Sequence, residues 1–220
     1  MNAPDFCKVV LLAVFLAGCA TGPLPPEWQS NAHGALKSFS AAYLSGKTQA
    51  AERDFARARS EITSTGRADL VARAELVRCA TRVASLEFDD CAGFQPLARD
   101  AGAAERAYAE YLAGRWQNLD PALLPAHHRA LLAAAGANAN RLGGIDDPLA
   151  RLVAAGALLQ NGRLTPADIA TATETASAQG WRRPLLAWLE VQARRAREGG
   201  DGEAAARIQR RIELVSQAPR

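Results

Sequence analysis

Two cysteines, Cys79 and Cys91, stand twelve residues apart, and a third, Cys19, follows a short run of apolar and small residues. Thiols bridge, bind metals or accept acyl groups, so these positions come first. For Cys79 and Cys91 a bridge and a pair of free or metal-binding thiols are both open. No histidine or further cysteine nearby completes a tetrahedral zinc set, and the spacing is not the C-x-x-C of a redox pair. Glu87-Phe88-Asp89-Asp90 reads as a turn between them, so a bridge would staple a helical hairpin. A loop this short gains about 3 kcal/mol in the chain-entropy view. His127-His128 is an adjacent pair; neighbours on a helix point about 100° apart and do not easily share a metal, so a surface role is expected. Asp89-Asp90 and Asp146-Asp147 fit turns and helix N-caps, where carboxylates accept free amides, better than calcium loops, which need more oxygens at regular spacing. Gly143-Gly144 lacks the context of a phosphate-binding loop and reads as a turn. No catalytic set, no metal site and no cofactor is expected.

The elements that carry these residues are helical. Apolar residues make up 49% of the 220 positions, which excludes a disordered chain. Alanine dominates and β-branched residues are sparse, which favours helix. Stripes at helical spacing are visible: Ala32, Leu36, Phe39 and Tyr43; then Phe55, Ala58 and Ile62, with Gly66 ending that helix. A third helix is expected over 67–86 with Leu70, Ala74, Val77 and Ala80 inward, and a fourth over 95–113. Asp120-Pro121, Asp147-Pro148 and Thr165-Pro166 each pair a capping residue with a first-turn proline. The last two helices fall at 181–197 and 202–215. Trp181 and Trp188, seven apart on one face, are read as core.

Charge is unevenly placed within a net +3. Residues 180–220 hold nine arginines and five acidic residues, whereas 19–179 are nearly balanced. The arginines interleave with Glu190, Glu198, Glu203 and Glu213 at spacings that allow local ion pairs, so a solvated helix face is expected. With no aromatic interleaving, a nucleic-acid partner is not expected.

Residues 1–18 have the build of a targeting segment, with Lys8 before an apolar run from Val9 to Ala17 that is too short to span a bilayer. The order Leu16-Ala17-Gly18-Cys19 resembles the lipobox of bacterial lipoproteins. The resemblance implies a diacylglyceryl group on the Cys19 thiol, cleavage before it, and acylation of the new amine. Ala20, in place of the aspartate that retains enterobacterial relatives at the inner membrane, implies the outer membrane, facing the periplasm. Residues 19–27 would be a tether, since Pro23, Pro25 and Pro26 exclude regular helix there. In an oxidising periplasm, Cys79 and Cys91 are expected to pair.

One internal echo follows the pattern A-x-Y-L-x-G-[KR]-x-Q. Tyr43, Leu44 and Gly46 match Tyr111, Leu112 and Gly114, at an offset of 68 residues. This is twice 34, the tetratricopeptide period. Ala51, Phe55 and Ala58 follow Gly46 by 5, 9 and 12, so about 30–63 resembles one good tetratricopeptide repeat. Copies after Gly114, Gly162 and Gly199 are degenerate. The resemblance implies an all-α domain over 28–216, with antiparallel helix pairs stacked as a short solenoid. The expected function is a lipid-anchored, non-enzymatic scaffold that binds a protein partner in envelope assembly. The alternative is an envelope enzyme or an activator of a peptidoglycan-processing enzyme; a small-ligand carrier would show an enclosed apolar cavity.

Overall fold

The structure is a computed structural model that describes residues 25–133 and 141–217. Leu16, Ala17, Gly18 and Cys19, with the leader and most of the tether, lie outside the described residues. Within them the chain forms nine α-helices and two short 3-10 turns, with no strand: α1 (Glu27–Leu44), α2 (Thr48–Thr63), α3 (Ala68–Ala84), α4 (Ala103–Leu112), α5 (Ala126–Ala133), α6 (Pro148–Gln160), α7 (Pro166–Ala178), α8 (Arg182–Glu198) and α9 (Gly202–Gln217). The turns are Gln95–Leu97 and Pro121–Leu123.

Local chemistry sets the helix ends. Asp147 accepts the Ala150 amide at 2.6 Å to start α6, and Thr165 with Asp168 forms a reciprocal capping box on α7. Helix ends share one device. Past α1 the Lys47 amide reaches back to the Ala42 carbonyl at 2.8 Å across a left-handed Gly46. Arg115 to Glu110, Arg163 to Leu158 and Trp181 to Ala176 repeat the bond across Gly114, Gly162 and Gly180. A left-handed residue there satisfies the orphan carbonyls of the last turn, and glycine adopts it without strain. The glycine echo in the sequence is therefore a recurring C-cap.

Consecutive helices pack as hairpins, giving an all-α, repeat-like fold. In the first hairpin, fully buried Ala51 and Ala58 let α2 approach α1 closely, and the Phe39 and Phe55 rings meet at 5.2 Å. Later in the chain, α6 lies so close to α3 that a side chain at Gly156 would strike the Val83 carbonyl. In addition, α8 returns to α1, and the buried Trp188 donates its indole NH to the Ala84 carbonyl at 3.2 Å. A purely sequential stack would not bring α8 to α1.

Several local expectations are corrected. The helix expected over 95–113 is broken: Pro96 sits in the first 3-10 turn, and α4 starts only after Gly102. Asp120 caps the second 3-10 turn, accepting the Ala122 amide at 2.9 Å, and α5 begins beyond Pro125. Val77 is exposed, because α3 is sandwiched between α2 and the α4–α6 side and buries Val71, Ala74, Leu76 and Ala80 on two faces. The register after Gly162 also differs: Ala167 and Glu174 are exposed, and α7 buries Ile169, Ala172 and Ala176 instead. In the last turn the left-handed glycine is Gly200, not Gly199. Gly143-Gly144 falls in a turn, Trp188 is core and Trp181 is half-buried at the start of α8.

Candidate functional site

The segment that follows α3 is held more tightly than a surface turn requires. The sulfurs of Cys79, on α3, and Cys91 lie at disulfide distance, 1.95 Å, with Cα atoms 5.1 Å apart. Between them the acidic run expected as a turn is a set of anchors. Glu87 accepts the Tyr43 hydroxyl at 2.5 Å and the Arg183 guanidinium at 2.9 Å. Arg82 donates to Asp89 at 2.6 Å, and Arg115 to Asp90 at 2.9 Å. Burial first, then the bond to Glu87, raises the Tyr43 hydroxyl above the ordinary phenol range.

Strain marks the same segment. Leu86, Asp90 and Cys91 all have positive φ, between 52° and 59°, without being glycine. Each such residue costs of order 1–3 kcal/mol and persists only where the surroundings impose it. Phe88, alone in the run without a polar anchor, keeps 41% of its surface exposed.

Phe88 lines a groove of about 550 Å³ between the end of α3, the α6–α7 connection and α8. Leu86, Leu159, Leu164, Ile169 and Val191 supply its apolar lining. Glu190, Arg194, Arg195 and Glu198, on the same side of α8, supply a charged rim. An exposed aromatic side chain, an apolar lining and a charged rim thus meet at one groove.

Of the repeat-signature residues, Tyr43 and Gly46 meet this site: Tyr43 binds Glu87, and the turn at Gly46 leads into Thr48, which accepts from Arg183 at 2.6 Å. Ala51, Phe55 and Ala58 are packing residues of the first hairpin. Tyr111 and Gly114 lie elsewhere. A side chain at Gly114 would collide with Gln160 and Asn161, and Asn161 donates to the Gly114 carbonyl at 2.7 Å, tying α4 to α6.

The expectation for His127-His128 is half corrected. His127 is exposed, but His128 is fully buried and shares a 3.1 Å hydrogen bond, through Nδ1, with the Tyr111 hydroxyl. The Tyr111 ring stacks on Trp116 at 5.3 Å. Burial, and then the charge of His127, pushes the His128 imidazole down to about 3. A sequence signal existed: His128 and Leu131 fall at i and i+3 on α5, and both are buried. Of the Asp pairs, Asp147 caps α6 as expected, whereas Asp89 and Asp90 accept arginine guanidiniums and not free amides. A buried ion pair was not foreseen: Arg141 meets Asp168 at 3.1 Å, beside the capping box of α7.

Among the described residues no group of three His, Cys, Asp or Glu side chains is placed to hold a metal, and no helix is long and apolar enough to cross a membrane. The chain matches no family model, no curated protein and no solved structure.

Proposed function

We propose that this chain is a lipid-anchored scaffold of the bacterial envelope that holds a protein partner at the Phe88 groove. The observation that carries the binding half is the clamp on the 86–91 segment. Four side-chain bonds and the Cys79–Cys91 pair hold its flanks while one large aromatic side chain is left in solvent. Leaving Phe88 outside forgoes burial that would stabilise the fold by about 2 kcal/mol, and a partner recovers that contact. The location half is supported by Leu16-Ala17-Gly18-Cys19 and by the pairing of Cys79 with Cys91, which suits an oxidising compartment. Acyl chains on Cys19 make a stable anchor where one alone is marginal. The tetratricopeptide-like first hairpin, with Gly46, Ala51, Phe55 and Ala58, supports a scaffold reading.

Intact-mass analysis of the mature protein tests the anchor. Removal of residues 1–18 with added acyl mass on Cys19 is expected, together with release of Cys19→Ala from the membrane fraction. An unmodified thiol at residue 19 of the mature chain would end the envelope reading.

A further inference from the structure

We infer that a second groove, between α3, α4 and α5, binds a single-chain anionic amphiphile of the fatty-acid class, its carboxylate at Arg129. This inference is independent of the partner reading. The groove holds about 470 Å³ and is lined by Leu76, Val77, Tyr108, Leu123, Leu124 and Pro125. Val77 and Leu123, each 36% exposed, are two of the four large apolar side chains left exposed among the described residues. Two of these four exposed apolar side chains therefore converge on one concavity, whose wall residue Tyr108 stacks on Tyr111, the partner of Trp116.

The polar side chains lining the groove are Arg73, Glu105, Tyr108 and Arg129. Arg73 and Glu105 satisfy each other at 2.6 Å. Arg129 donates Nε to the Leu124 carbonyl at 2.8 Å and makes no ion pair among the described residues. The Tyr108 hydroxyl makes no hydrogen bond among them either. A guanidinium with no ion pair among the described residues, beside an apolar trough, complements one anionic head on a hydrocarbon body. An extended peptide is the poorer fit. Its amides need partners when desolvated, and the Leu124 carbonyl is already taken by Arg129.

The test titrates octanoate, decanoate and dodecanoate, below their micelle concentrations, into purified full-length Cys19→Ala protein by calorimetry. Dodecanol and a trileucine peptide serve as comparisons. Affinity is expected to rise about two- to fourfold per methylene, with dodecanoate tighter than dodecanol and than the peptide. Leu123→Glu, at an exposed wall position, should abolish binding. Arg129→Gln should weaken dodecanoate about fivefold, leave dodecanol unchanged, and be rescued by Arg129→Lys. The dodecanoate preference in the unsubstituted groove should also shrink with salt, a readout independent of any variant's folding. No chain-length dependence, equal binding of dodecanol, tighter binding of the peptide, or an unaffected Leu123→Glu would each overturn the inference.

Discussion

Arg183 and Tyr43 stand 140 residues apart in sequence, yet the guanidinium lies 4.2 Å from the centre of the Tyr43 ring and donates Nε to the Tyr43 carbonyl at 2.9 Å. The same guanidinium reaches Thr48 and Glu87. One side chain from the start of α8 thus closes the end of α1, the start of α2 and the segment that displays Phe88.

Replacing that side chain should cost more than a surface arginine does. Arg183→Ala removes three hydrogen bonds and a cation–π contact from a site only partly open to water, and should destabilise the fold by about 1–3 kcal/mol. Urea unfolding measures it; a change below about 0.5 kcal/mol, typical of exposed positions, would show that the clamp carries no energy.

The buried His128 makes stability depend on pH in a definite direction. Its imidazole titrates at about 3 in the folded protein and near 6.5 when unfolded. Between these values the unfolded chain binds the extra proton, so this contribution is complete above pH 6.5 and is lost as pH falls towards 3. Folding free energy should fall by up to about 1.4 kcal/mol per pH unit in that window through this group. Its share is the part removed by His128→Phe in paired unfolding curves. A slope unchanged by that substitution would contradict the neutral, buried assignment.

Breaking the Cys79–Cys91 pair should act mainly through the unfolded chain. Cys79→Ser is expected to lower stability by about 3 kcal/mol under oxidising conditions, and the difference from the unsubstituted protein should shrink when both are reduced. Equal stability under oxidising conditions would mean that the two sulfurs are not bonded.

The legible part of the fold was what repeats at short range. The stripes of α1 and α2, the capping pairs at Asp147-Pro148 and Thr165-Pro166, and the glycine-marked ends were all readable, because each is set by residues within one or two turns. The turn at Glu87–Asp90 was readable as a turn for the same reason. What it does was not, because Glu87 acts through Tyr43 and Arg183, and Asp90 through Arg115, all distant in sequence. Val77 was misplaced because α3 buries two faces, which a single stripe does not describe. His128 was read from its neighbour His127 when its own spacing to Leu131 on α5 set its place. The spacing of Ala51, Phe55 and Ala58 after Gly46 was legible as packing, and all three are buried in the first hairpin. The matching positions after Gly114, which are Leu119, Leu123 and Ala126, are not buried, because Pro121 opens a short turn there.

The claim that Phe88 is held out for a partner has one most direct measurement. A photo-reactive phenylalanine analogue is placed at residue 88, and another at Arg57, an exposed α2 position outside the groove lining; both are irradiated in intact cells. The account predicts a discrete crosslinked species from residue 88 and not from residue 57. That species should be lost when Val191, in the groove lining, is changed to Glu in a protein that still folds. Identical crosslinking from both positions, or none from residue 88, would contradict it.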